Sequence, residues 1–313
     1  MHIHRNFDHF QAQNPIVTIG MFDGVHAGHR SILAQLHRLK RLHSGESVLI
    51  TFDPHPQLVF RNNPNFGILT TLEEKLALLE QVHLDHCVIL PFTSEFSQLS
   101  GEEYIETILY KGTRAHTVVI GYDHNYGKHA SGDFALMQRM GEHYHFAVEK
   151  IAAFDVHETH VSSTKIRNAL REGNVDSAKE FLTYAYSLAG TVVQGKQIGR
   201  TLGFPTANIA PDSDLKIIPA TGVYAAWCEI DNKKHPTVVN IGTNPTIAQG
   251  LAQTIEAHIL DFSGDVYGKS ARLYFEKRLR SQETFSSLEE LKTAIGRDCA
   301  QARTFFGETA CKL

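Results

Sequence analysis

Two histidines three residues apart, His26 and His29, stand in the stretch GMFDGVHAGHR, residues 20 to 30, among three glycines. The apolar run IVTIG precedes it and helical periodicity resumes at RSILAQLHRLKRL, so the pair falls where a strand turns into a helix. Unpaired backbone N–H groups and the helix dipole already favour an anion there. The i, i+3 spacing puts both rings on one side, and Gly28 between them lets a ligand come close to the backbone. Two imidazoles so placed can hold phosphate oxygens while charge builds in a transition state. A zinc pair is the first competing reading, but zinc needs a third protein ligand and none stands at motif spacing. Ordinary surface histidines are the second, and for a bare pair in a chain with 19 histidines they are the simpler account.

Three further stretches carry chemistry. VSSTKIRNAL brings the hydroxyls of Ser162, Ser163 and Thr164 together with Lys165 and Arg167 at a helix start, which suits phosphates but also suits simple capping. In GRTLGFPTANIA, Gly199 and Gly203 permit tight turns and Pro205 fixes the backbone. Thr206 and Asn208 share one face if the segment is extended, offering hard oxygens to magnesium; an ordinary strand with a polar face fits equally. In TIEAHILDF, Thr254, Glu256 and His258 share a face, so Glu256 either points to solvent or, if that face lines the mouth of a barrel, serves as a base.

These residues need a frame. IVTIG, SVLITF, CVILPF and TVVIG read as buried strands, and TLEEKLALLEQV places Leu72, Leu76 and Leu79 on one helical face behind a Thr71–Glu74 capping box. That alternation predicts a doubly wound parallel sheet, whose ligands sit beyond the carboxyl ends of its strands. Helices are expected at STKIRNALREG and, after Asn174, at VDSAKEFL. Beyond about residue 184 the texture changes to SLAGTVVQG, GVYAAWCEI, HPTVVNIG, TIEAHILDF and ARLYFEKRL, separated by turn signals, which predicts a small antiparallel β-barrel. A last helix is expected from a Ser287–Glu290 capping box to Phe306, with Leu288, Leu291, Ile295 and Cys299 on one face.

The fold class expected is therefore α/β, with a parallel-sheet domain over 1–183 and a barrel domain with a C-terminal helix over 184–313. At 313 residues two domains are the ordinary outcome. A formal charge of −4 gives no reason to expect nucleic acid or an anionic membrane as partner. Cys87, Cys228, Cys299 and Cys311 form no CxxC pair and read as core thiols of a reducing compartment. No apolar signal core or spanning segment is visible, so a cytoplasmic protein is expected.

With G-x-F-D-G directly ahead of H-x-G-H, the opening stretch resembles the phosphate-facing turn of the HxGH nucleotidyltransferases, and SSTKIR resembles their second phosphate motif. TFDPHP, GYDHNYGKHASGD and G-F-P-T-A-N, in this order, narrow the resemblance to the bifunctional bacterial riboflavin kinase/FMN adenylyltransferases. The resemblance implies that the chain phosphorylates riboflavin to FMN in its second half and joins FMN to the AMP part of ATP in its first, releasing pyrophosphate. It implies ATP or phosphate contacts for Gly20, Phe22, Asp23, Gly24, His26, Gly28, His29, Ser162, Ser163, Thr164 and Arg167. In the second half it implies the same for Gly199, Gly203, Pro205, Thr206 and Asn208, with Thr206 and Asn208 on Mg2+ and Glu256 as the base toward the riboflavin 5′-hydroxyl. Flavin contacts fall to Asp123, Asn125, Asn240, Arg280 and Asp298, and the partners implied are riboflavin, FMN, FAD and ATP.

Two positions depart from the family pattern. The family places an acid two residues past Arg280, where this chain has Gln282 and then Glu283; its Q-I-x-x-D reads AIGRD, with Ala294 for glutamine and Asp298 retained. Other transferases on the same N-terminal fold, for pantetheine phosphate, nicotinate mononucleotide or cytidylyl groups, leave the GFPTAN segment without a job. An aminoacyl-tRNA synthetase lacks its basic RNA surface here. A non-catalytic flavin-binding protein would have no use for Glu256 and both motif histidines.

Overall fold

The computed structural model describes all residues except 61–65, 122–124, 153, 157–158, 196–198, 200–201, 244–252 and 311–313. The chain forms two compact units, Met1–Ser163 and Thr164–Leu313.

The first unit is built on six parallel strands: β1 His2–His4, β2 Ile16–Ile19, β3 Ser47–Asp53, β4 His86–Pro91, β5 Thr117–Ile120 and β6 Ala147–Lys150. They lie in the order β1-β4-β3-β2-β5-β6. The four buried runs of the sequence form the four central strands, as expected of strands covered on both faces. Alternation assigns their side chains to two cores. Ile16, Leu49, Cys87 and Val119 pack with α1 (Ala27–Leu42) and α3 (Leu72–Gln81), whose inward residues include Leu33, Leu36, Leu39 and Leu79. Val17, Val48, Val88 and Val118 pack against the opposite layer, which contains α4 (Gly101–Tyr104), the π-helical segment Ile105–Thr113 that continues it, and α5 (Phe134–Tyr144). A five-residue helix, α2 (Pro56–Phe60), follows β3.

The Thr71–Glu74 capping box is formed reciprocally. Leu79 is fully buried, while Leu72 and Leu76 are only partly so; the other buried residue of α3 is Lys75. Chain direction across the sheet reverses at β2, which has β3 on one side and β5 on the other. A crevice at the carboxyl end of β2 is the consequence.

A short ribbon, β7 (Asp155–Val156) with β8 (Thr159–His160), leads to α6 (Ser163–Glu172) and α7 (Val175–Leu182), the latter capped by Asn174. The second unit includes α7 and a closed barrel of β9 (Ser187–Val193), β10 (Ala207–Pro211), β11 (Gly222–Ile230), β12 (Lys233–Thr243), β13 (Gln253–Ile259) and β14 (Ser270–Arg280). Their order around the barrel is β10-β13-β12-β11-β14-β9, with every pairing antiparallel.

Tyr224, Val239, Ile255, Ala257 and Phe275 fill the buried interior. Val223, Ala225 and Val238 take the other face and meet Cys299, Ala302 and Phe306 of α8 (Leu288–Ala310). The expected apolar face of this last helix is corrected at its start: Leu288 is 64% exposed, and the face runs on through Ala302 and Phe306. Only half of its capping box forms. Ser287 Oγ accepts from Glu290 N, while the Glu290 carboxylate accepts from Ser286 instead.

Candidate active sites

The turn after β2 is held in an unfavourable conformation. Phe22, Gly24 and Val25 have φ of 49°, 83° and 36°, and for the bulky Phe22 and β-branched Val25 the left-handed region is costly. Several pins hold it. The buried Asp23 carboxylate accepts from the N–H groups of Leu69 and Thr70 at 3.0 and 2.9 Å, and Gly24 N donates to Thr70 Oγ1 at 3.0 Å. Ser163 Oγ donates to the Asp23 carbonyl at 3.0 Å. The Asp23 carboxylate thus anchors the turn, engaged by backbone donors.

The turn delivers a column of three rings. His26 is the N-cap of α1, its Nδ1 accepting from His29 N at 3.4 Å. The His26 and His29 rings stack with centroids 3.6 Å apart, and Phe22 stacks on the other side of His29 at 4.4 Å. A Cβ at Gly28 would stand 3.2 Å from His26 Cε1, and one at Gly20 would stand 3.1 Å from the Phe22 ring. The glycines of this stretch therefore serve the column as well as any ligand. On α6, Ser162 and Ser163 at its start are half-buried, Thr164 and Lys165 are exposed, and Arg167 is buried.

Beside the turn, at the carboxyl ends of β2 to β5, lies a cavity of about 430 Å³ lined by Gly20, Met21, Phe52, Phe60, Phe92, Phe96, Tyr104, Asn125 and Tyr126. Phe52, Phe92 and Phe96 pack within 5.0 to 5.8 Å of one another, forming an aromatic wall suited to a flat heterocycle. Burial pushes the Tyr104 and Tyr126 phenols far above their usual range, so both remain neutral. Beneath the junction of turn and cavity, buried Lys75 donates to the Met21 carbonyl at 3.1 Å and to Thr51 Oγ1 at 3.0 Å. Desolvation lowers its pKa against the attraction of Asp23.

In the second unit a cavity of about 260 Å³ is lined by Gly199, Phe204, Thr206, Asn208, Asn240, Glu256, His258, Arg280, Gln282, Glu283 and Asp298. Register explains the convergence. Asn208 pairs with Glu256 across β10 and β13, and Glu256 pairs with Asn240 across β13 and β12, so three polar side chains form one row. Ile255 and Ala257 point into the barrel, so this row belongs to the outer face, the one α8 covers. Of the readings the alternation left open for this face, the register places it on the outer wall beside α8, since the six strands close on a filled interior.

Gly199 accepts from Leu202 N and Phe204 N, closing a tight turn in which Gly203 has φ 86°. A Cβ at Gly199 would meet the Phe204 carbonyl oxygen at 2.3 Å. Arg280 and the buried Asp298 form a two-pronged pair at 2.9 Å in both bonds, which raises the arginine's pKa. Glu283 stands 3.7 Å from Arg280, so the displaced acid still reaches this arginine.

Two family models match the chain: FAD synthetase over residues 9–165 and riboflavin kinase over 182–306. The bifunctional riboflavin kinase/FMN adenylyltransferase of Escherichia coli strain K12 is 37% identical over 94% of this chain and 93% of its own length. That of Pseudomonas fluorescens is 35% identical, with 94% of each chain covered. The chain belongs to the bifunctional riboflavin kinase/FMN adenylyltransferase family. A crystal structure from Streptococcus pneumoniae, described as a macrolide-efflux protein, superimposes with a TM-score of 0.87 at 27% identity, covering 96% of this chain and 98% of that one. Among the described residues no helix is long and apolar enough to cross a membrane.

Set against the family's two activities, the expected residues fall into two groups. Gly20, Phe22, Asp23, Gly24, His26, Gly28, His29 and Ser163 gather at the first turn, with Asn125 on the adjoining cavity. Gly199, Thr206, Asn208, Asn240, Glu256, Arg280 and Asp298 line the second cavity, and Pro205 adjoins it between Phe204 and Thr206. Asp123 lies outside the described residues. Sequence reading missed Lys75 and the aromatic wall. Phe52 and Phe92 close the runs SVLITF and CVILPF, a placement at strand ends that could have marked them.

Proposed function

We propose that the second unit phosphorylates riboflavin to FMN and that the first adenylylates FMN to FAD, with the residues gathered above doing the work. In this reading the two catalytic modules divide at residues 183 and 184. The observation that carries it is the presence in one chain of both constellations, the His26–His29 column at a helix N-terminus and the Asn208–Glu256–Asn240 row.

In the kinase, the Glu256 carboxylate takes the proton of the riboflavin 5′-hydroxyl as that oxygen attacks the γ-phosphorus of ATP, and ADP departs. The turn from Gly199 to Thr206 holds the nucleotide. The Thr206 hydroxyl and Asn208 amide oxygen fit Mg2+, a hard cation satisfied by neutral oxygens when phosphates supply the charge. Magnesium, when bound, would neutralise phosphate charge. Among the described residues no group of three or more His, Cys, Asp or Glu could hold a metal ion, so hydroxyl and amide oxygens are the donors this reading uses. Arg280, fixed by Asp298, borders the flavin.

In the adenylyltransferase, an FMN phosphate oxygen attacks the α-phosphorus of ATP and the bond to pyrophosphate breaks. FMN is already a competent nucleophile, so the chain supplies alignment and charge rather than a base. His26 and His29 face the ATP phosphates from a helix start, Ser162, Ser163 and Arg167 serve the departing pyrophosphate, and the aromatic cavity takes the flavin ring.

A time course with riboflavin, excess ATP and magnesium, resolving riboflavin, FMN and FAD by chromatography, tests both halves. FMN rising and then yielding to FAD is the expected result. FMN that accumulates without FAD would refute the adenylyltransferase assignment, and untouched riboflavin the kinase assignment.

A further inference from the structure

The regular ladder between β10 and β13 is short: its pairs are Ala207 with Ala257 and Asn208 with Glu256. One step beyond, the chain reaches Thr206 and then Pro205, which has no N–H to give to a ladder. The Pro205 carbonyl is nevertheless engaged, because His258 Nδ1 lies 2.8 Å from it. A carbonyl only accepts, so Nδ1 carries the hydrogen, and in the neutral ring Nε2 is left without one. The same ring meets Phe204 edge-on, with centroids 5.5 Å apart.

His258 thus extends the ladder by a side-chain rung. Its backbone lies on β13 two residues from Glu256, on the same face; its ring nitrogen holds the end of the turn that runs from Gly199 to Thr206. One residue therefore ties the strand carrying the base to the segment that holds the nucleotide.

We propose that His258 is a positioning residue of the riboflavin kinase site, its Nδ1–H fixing the Pro205 carbonyl so that Thr206 and Asn208 meet MgATP in register with Glu256. This rests on the assignment of Glu256 and Thr206 made above. What matters is a hydrogen-bond donor at the position of Nδ1. Asparagine places its amide nitrogen there and glutamine reaches instead to the position of Nε2.

The test is riboflavin phosphorylation across a range of MgATP concentrations for wild type, His258→Ala, His258→Gln and His258→Asn, with FMN adenylylation by the same preparations as reference. Loss of one neutral hydrogen bond is expected to raise KM for MgATP about tenfold in the alanine and glutamine variants, with kcat changing less than about threefold. The asparagine variant is expected to return KM to within about threefold of wild type. Unchanged KM in all three variants overturns the proposal, as does an asparagine variant that behaves like alanine, since ring packing on Phe204 would then be the whole effect. Nitrogen NMR of histidine-labelled wild type, assigned by the signal lost in His258→Asn, is expected to show the Nδ1–H tautomer; an Nε2–H tautomer overturns it without any variant having to fold. Glu256→Gln is included as a separate control. FMN formation surviving in that variant would refute the site assignment itself, whatever the His258 variants do.

Discussion

Asn208 and Glu256 stand directly opposite one another across β10 and β13, with Asn240 opposite Glu256 on its other side. The carboxylate is thus flanked by amide side chains on both neighbouring strands, and all three line the cavity. Glu256→Gln preserves that shape and removes the base. FMN formation is expected to fall by about 10²- to 10⁴-fold while FAD formation from supplied FMN continues. Loss of both activities in a folded variant would contradict the two-site assignment.

The His26–His29 stack leaves little room for a side chain at Gly28. Alanine there would bring its Cβ to 3.2 Å from the His26 ring, a tight contact that the imidazole relieves by a shift of a few tenths of an ångström. Adenylylation is expected to fall about tenfold in Gly28→Ala. In His29→Ala, which removes the middle ring of the column, the expected fall is about 10²-fold. Riboflavin phosphorylation by the same chains should not change; an unaltered adenylylation rate in His29→Ala would remove that histidine from the mechanism.

Lys75 joins the Met21 carbonyl to Thr51 from below, where burial holds its ammonium below the ordinary lysine range. Lys75→Met keeps most of the volume and removes the donor. The strained turn then loses a pin, and adenylylation kcat is expected to drop about tenfold with kinase turnover as the internal reference. Equal adenylylation kcat in the two proteins would show that the other pins suffice.

The Cys228 thiol is pushed up to about 12 by burial alone, from an ordinary value of 9.0. A raised acid pKa means that the unfolded state releases its proton first. The contribution to stability is therefore full below pH 9.0 and is lost as pH rises toward about 12. Compared with Cys228→Ala by urea unfolding, wild type is expected to lose stability above that point at up to about 1.4 kcal/mol per pH unit. Parallel curves for the two proteins from pH 8 to 11 would place the thiol in a more polar setting than its burial indicates.

Local chemistry was legible without a structure. The central strands, the Thr71 cap and the change from βα alternation to β-rich texture follow from periodicity and capping, which act over a few residues. The glycines and histidines of residues 20–30 announce a tight turn and a polar helix start for the same reason. Other features depend on distant segments meeting. Lys75 reads as one more charged residue of an amphipathic helix until Met21 and Thr51 are brought above it. Phe52 lies far in sequence from Phe92 and Phe96, and joins them in one wall only because β3 and β4 end side by side.

The alternation of residues 254 to 259 already assigned Glu256 and His258 to one face, but alternation cannot say whether that face is lumen, solvent or site. Barrel closure decided it, by filling the interior with Ile255 and Ala257 and leaving the other face to α8 and the turn from Gly199. The sequence by itself determined which residue types were available and on which side of each element they lie. Tertiary structure decided which of those sides meet, because register and closure are properties of paired strands.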